Sequence, residues 1–126
     1  MDRTTILVID DNDATRTGLV QLLTLRGYRT TGAANGREGL ECLLREPSIG
    51  VIVLDLTMPV ADGYWFREQQ RADPSIAHIP LIVFTGSDDA HTDARMLNGA
   101  DVLHKPVGVS QLLEMIASLC DAGLAR

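Results

Sequence analysis

The chain has 126 residues, 45% of them hydrophobic, and a formal net charge of −6. That length fits one domain with a single buried core, and the hydrophobic content argues against global disorder. The acidic balance excludes the basic surface on which nucleic-acid and anionic-membrane binding depend. No apolar run approaches the ~18 residues of a membrane span.

The start of the chain, Met1-Asp2-Arg3-Thr4-Thr5, leads into only four apolar residues, too few for a signal-peptide core. A cytoplasmic protein is therefore expected. Ile6-Leu7-Val8-Ile9 is the first predicted strand. A helix follows from about Ala14 to Arg26, with Leu19, Leu22 and Leu23 on one face and Gly27 as its stop. Tyr28 to Thr31 reads as a weaker edge strand. Leu40, Leu43 and Leu44 mark a second helix ended by Pro47. Val51-Ile52-Val53-Leu54 is another strand, followed by a helix from Gly63 to about Ala72 with Pro74 beyond it. Leu81-Ile82-Val83-Phe84 is a strand, and Asp88 to about Leu97 a fourth helix stopped by Asn98-Gly99. Val102-Leu103 is a short last strand. Val109, Leu112, Leu113, Ile116 and Leu119 give the 3.6-residue period of a final helix.

Continuous β-branched runs of four residues suit strands buried on both faces, as in a parallel sheet. Strand and helix alternate five times, so an α/β fold with a doubly wound five-stranded parallel sheet is expected. The strand order 2-1-3-4-5 is adopted from known folds of this kind rather than read from the residues. The two cysteines, Cys42 and Cys120, lie far apart in helical patterns and outside any Cys-x-x-Cys motif. They read as buried free thiols.

The chemistry lies just beyond the end of each strand. Asp10 and Asp11 come after the first, Asp55 after the strand behind the second helix, Thr85 after the next, and His104-Lys105-Pro106 after the last. A parallel sheet puts all these positions at its carboxyl-terminal edge. The crevice where strand order reverses is the binding place of such folds, and in this order it lies between Asp10 and Asp55. Clustered, partly desolvated carboxylates repel one another, and a divalent cation resolves the repulsion. An all-oxygen ligand set favours Mg²⁺, with Mn²⁺ as the other fit. A lysine and a hydroxyl nearby complete a set able to stabilise a phosphoryl group, and a carboxylate is a competent nucleophile toward phosphorus. One strand-end aspartate alone would most often be a helix cap, and Asp13 is expected to cap the first helix. Thr85 and Lys105 are each weak signals in isolation; their placement after successive strands gives them weight.

These residues resemble the motifs of response regulator receiver domains, which have a flavodoxin-like fold. Ile9-Asp10-Asp11 resembles the acidic pair after the first strand, and Asp55 to Gly63, with its Met58-Pro59 and Asp62-Gly63, the phosphoacceptor loop. Phe84-Thr85-Gly86, Asn98-Gly99-Ala100-Asp101 and Lys105-Pro106 resemble the remaining motifs in order. The resemblance runs from about Thr4 to Leu119, so the whole chain, 1–126, is expected to be one receiver domain.

The resemblance implies a phosphoacceptor receiver of two-component signalling. Asp55 takes the phosphoryl group from a histidine kinase or a histidine phosphotransfer protein. Asp11, Asp55 and the backbone carbonyl of Thr57 hold Mg²⁺, and Asp10 assists. Thr85 and Lys105 contact the phosphoryl oxygens. Enzymatic activity would be limited to self-phosphorylation and autodephosphorylation. A monomer or a weak phosphorylation-dependent dimer is expected, acting on a downstream protein. One departure is Val102, which stands where the family often has Tyr or Phe.

Three other readings compete. A pseudo-receiver would use the same fold for interaction without being phosphorylated. A flavin carrier would need a hydroxyl- and glycine-rich first loop, whereas this one is Asp10-Asp11-Asn12-Asp13. An aspartate-nucleophile phosphohydrolase would need Asp-x-Asp, and Thr57 holds the second position. Tyr64, Trp65 and Phe66 are consecutive, so they cannot all face a core, and at least one is expected at the surface or beside the site. His78, His91 and His104 have no metal-ligand spacing and are expected at the surface.

Overall fold

The order of apolar runs and helical periods becomes a sheet covered on both faces. The computed structural model describes residues 4–55, 63–85, 101–104 and 109–124. The strands are β1 (Thr5–Ile9), β2 (Arg29–Ala33), β3 (Ile49–Leu54), β4 (Leu81–Thr85) and β5 (Asp101–His104). The helices are α1 (Asp13–Leu25), α2 (Gly36–Arg45), α3 (Gly63–Ala72) and the final helix α4 (Val109–Leu124). The helix expected over residues 88–97 lies outside the described residues.

The sheet runs β2-β1-β3-β4-β5 with every neighbouring pair parallel. This is the expected doubly wound order. β1, β3 and β4 are the continuous apolar runs, and alternate residues feed two separate cores. Leu7, Ile9, Ile52, Leu54 and Val83 pack with Leu43 of α2 and Phe66 of α3. Ile6, Val8, Val51, Val53 and Ile82 pack on the other face with Leu23 of α1 and Ile116 of α4. β2 is one of the two edge strands, and only Ala33 within it is buried. Both cysteines are buried and neither is in a disulfide. Among the described residues, no helix is long and apolar enough to cross a membrane.

Local signals explain both ends of α1 and the start of α2. Gly27 has φ +92°, the left-handed conformation that lets the chain leave α1 and enter β2. Asn35 caps α2 by accepting from Glu38 N, and Glu38 Oε1 reaches back to accept from the Ala34 N–H just before the cap. At α1 the expectation needs correction. Asn12, not Asp13, is the cap: its extended backbone (φ −83°, ψ 113°) lets the side chain accept from Thr15 N. Asp13 is the first helical residue, where its charge suits the helix dipole and pairs with Arg16.

The α3–β4 connection has an internal anchor. Gln70 is fully buried, and its amide nitrogen donates to the carbonyls of Ile76 and Ile79, each at 3.0 Å. Its oxygen accepts from Arg67 at 2.7 Å. Burial, together with the charge of Arg71, lowers the pKa of the Arg67 guanidinium. Of the three consecutive aromatics, Phe66 is fully buried, while Tyr64 and Trp65 are half-buried against the same core. None is fully exposed, and Arg37 of α2 covers the Trp65 ring at 5.5 Å from its centroid.

Candidate functional site

Backbone register puts the acids together. Ile9 lies opposite both Ala33 and Leu54, so β1 is the strand between β2 and β3 whose end feeds the crevice. The ladder continues one residue further on each side. Asp10 N–H donates to the Ala33 carbonyl at 3.1 Å, and Asp55 N–H donates to the Ile9 carbonyl at 2.9 Å. Asp10 and Asp55 thus leave the sheet at the same level on adjacent strands. The connection leaving β1 runs to β2 through α1 over one face, and the one leaving β3 runs to β4 through α3 over the opposite face. Nothing fills the crevice between the strand ends by topology alone, which is why side chains at this point can meet a ligand.

Asp10, Asp11 and Asp55 converge as the sequence leads one to expect. One carboxylate oxygen from each lies within 4.8 Å of the others. Asp10 and Asp55 are buried, at 4% and 5% exposure, and Asp11 is exposed. Asp10 is further fixed by the Asn12 N–H, which donates to its Oδ1 at 2.9 Å. For the two buried carboxylates, charge repulsion at this spacing is roughly 3 kcal/mol at an effective dielectric constant of about 20. The donor set is three carboxylates with no nitrogen or sulfur, the chemistry of a hard divalent cation. The residues present therefore fit Mg²⁺ or a close relative.

The other predicted site residues are placed in part. Thr85 is the last residue of β4. Because Leu54 lies opposite Val83, Thr85 ends its strand one residue beyond the level of Asp55, at the same sheet edge. His104, the last residue of β5, lies opposite Thr85 at that edge. Thr57, Lys105 and the remaining motif residues 56–62, 86 and 98–100 lie outside the described residues. Val102 lies opposite Val83 in the sheet.

Sequence reasoning passed over Arg16, whose guanidinium donates to the backbone carbonyl of Asp10 at 2.7 Å. Two signals were available: its spacing of three from Asp13, and a glycine at position 32 inside a strand.

Comparison with known proteins agrees with this arrangement. A family model described as the response regulator receiver domain matches residues 6–117. The transcriptional regulatory protein AfsQ1 of Streptomyces coelicolor is 40% identical over 105 residues, covering 81% of this chain and 44% of that protein. Protein PilH of Pseudomonas aeruginosa is 31% identical over 114 residues, covering 88% of this chain and 93% of PilH. The crystal structure of a response regulator receiver protein from Pseudomonas putida superposes with a TM-score of 0.85 at 32% identity, over 94% of this chain and 98% of that one. The chain spans less than half the length of the first curated relatives it matches.

Proposed function

Because the chain belongs to the response regulator receiver domain family, we propose that Asp55 is its phosphoacceptor and that the Asp10–Asp11–Asp55 cluster binds Mg²⁺ for that transfer. The phosphoryl group comes from a phosphohistidine on a histidine kinase or a histidine phosphotransfer protein. A carboxylate oxygen of Asp55 attacks phosphorus, the phosphorus–nitrogen bond breaks, and the imidazole leaves with its electron pair. An aspartyl phosphate results.

The observation that carries this reading is the meeting of three carboxylates within 4.8 Å, two of them buried, at the point where strand order reverses. Each residue has work that its position supports. Asp10, held by the Asn12 N–H, keeps its charge aimed into the crevice. Asp11, exposed at the rim, meets solvent and incoming phosphate together. Asp55, fixed to β1 through its own N–H, presents a nucleophile from a rigid strand end. When bound, Mg²⁺ would be held by Asp11, Asp55 and the Thr57 carbonyl, with Asp10 assisting, and would supply charge neutralisation to the phosphoryl oxygens. Thr85, at the end of β4 on the same edge, and Lys105 are the residues proposed to donate to those oxygens. The protein is proposed to act in the cytoplasm, as one receiver domain over residues 1–126, and to signal to a downstream protein.

Incubation with acetyl phosphate and Mg²⁺, read by intact mass, tests the reading. Gain of one phosphoryl group that disappears in EDTA or in Asp55→Asn is expected. No adduct from acetyl phosphate or from a phosphorylated histidine donor would leave the pseudo-receiver reading in its place.

A further inference from the structure

The guanidinium of Arg16 ties together the connection that carries the acids. Its Nη1 donates to the carbonyl oxygen of Asp10 at 2.7 Å, and its Nη2 donates to Oδ1 of Asp13. The side chain is only 19% exposed. Its stem crosses β2, where a Cβ built on Gly32 would sit 3.2 Å from Arg16 Cδ, 3.3 Å from Cγ and 3.6 Å from Nε.

Gly32 has no other evident reason to be glycine. It lies in an edge strand, where β-branched residues are favoured and glycine is weakening. Its backbone does not demand glycine either, since Gly27 is the described glycine with positive φ. A glycine inside a strand commonly marks close approach of another group. Here that group is the stem of Arg16, which a side chain at position 32 would crowd.

Three hydrogen bonds hold the acidic connection at Asp10, among others. The Asp10 N–H bonds the end of β2, the Asp10 carboxylate accepts from Asn12 N, and the Asp10 carbonyl accepts from Arg16. The third is the one that reaches from the helix back to the backbone between Asp10 and Asp11. We infer that Arg16, seated over Gly32, is a positioning residue that fixes the Asp10–Asp11 segment so that the three carboxylates can share one cation. This rests on the proposed reading of the cluster as a Mg²⁺ site.

Two effects of Arg16 oppose each other, which makes the inference testable by sign. As a nearby positive charge, Arg16 weakens cation binding, so its removal alone would tighten Mg²⁺. As a positioning residue it strengthens binding, so its removal weakens Mg²⁺. Loss of a group that orients a metal ligand typically costs about 10–100-fold in affinity. The lower end is expected here because Arg16 acts through backbone.

The test is calorimetric titration of Mg²⁺ into the whole chain, at fixed ionic strength and a temperature where each variant is folded. Arg16→Gln and Gly32→Val are each expected to raise the dissociation constant about tenfold. Gly32→Val keeps the arginine and improves strand propensity, so it decides the matter even if Arg16→Gln does not fold. A role confined to stability would lower the unfolding midpoint in EDTA and leave the constant of the folded protein unchanged. An unchanged or tightened constant in these variants overturns the inference alone. Absence of Mg²⁺ binding by the unaltered protein would sink the cation-site reading and this inference with it.

Discussion

Replacing Gln70 with leucine removes a buried amide of similar size and tests how the α3–β4 connection is held. Gln70 is fully buried and donates to the carbonyls of Ile76 and Ile79 at 3.0 Å each. The Ile76 carbonyl also accepts from Ile79 N at 3.2 Å, so it keeps a partner in the variant. The Ile79 carbonyl loses the Gln70 amide, and Arg67 loses the acceptor it holds at 2.7 Å. A buried polar group deprived of its partner costs about 1–3 kcal/mol, and leucine regains some apolar burial. The net loss is expected at about 2–4 kcal/mol. For a chain of this length that corresponds to a fall in Tm of roughly 8–16 °C. Urea denaturation followed by far-UV circular dichroism measures it, with an unchanged m-value as the check that the variant unfolds as one unit. Gln70→Glu keeps the acceptor toward Arg67 but turns a second acceptor toward two carbonyls. It is expected to lose at least as much as Gln70→Leu at neutral pH. A leucine variant within about 1 kcal/mol of the parent, or a glutamate variant clearly more stable than it, would refute the reasoning.

Three further expectations concern the frame around the site. Asn12→Ala removes the side chain that accepts from Thr15 N and is expected to cost about 1 kcal/mol, measured by denaturant unfolding; equal cost from Asp13→Ala would contradict the assignment of the cap. Gly39→Ala would press a Cβ into Ile9 Cδ1, and this overpacking of roughly 1–3 kcal/mol exceeds the gain of about 1 kcal/mol in helix propensity. The variant should therefore be destabilised, and Ile9→Val should recover part of the loss; additive losses in the double variant would show that the two side chains do not meet. Asp73 accepts from the N–H and hydroxyl of Ser75, which hold its carboxyl below the ordinary 3.8. Its folded pKa is depressed, so its stabilisation is present above the ordinary value and is lost as pH falls through the folded one. Ser75→Ala should move the Asp73 midpoint up in a side-chain NMR titration, and an unmoved midpoint would remove the hydroxyl as a cause.

How much of this was legible in the sequence depends on whether a residue's role is set locally or by its neighbours in space. β1, β3 and β4 were legible because strands buried on both faces are apolar throughout. α1's end was legible because Gly27 needs a left-handed backbone that few other residues adopt. Asp10, Asp11 and Asp55 were legible as a group because a parallel sheet brings all strand ends to one edge, whatever the intervening helices do. Gln70 was not. It stands among Glu68, Gln69 and Arg71, and only the folding of residues 76–79 over it makes it a core residue. The choice of Asn12 over Asp13 as cap was also hidden, since both types cap well and only backbone direction separates them. Arg16 and Gly32 lie 16 positions apart, and their fit depends on α1 crossing the end of β2.

The central claim is that Asp55 takes a phosphoryl group within the acidic cluster. An aspartyl phosphate, unlike a free carboxylate, is reduced by borohydride to homoserine. The most direct measurement is therefore borohydride reduction after phosphorylation in Mg²⁺, with peptide mapping of the product. Homoserine at position 55, dependent on Mg²⁺, is the expected result. Reduction at another carboxylate, or at none while a phosphorylated histidine donor is present, would contradict the account.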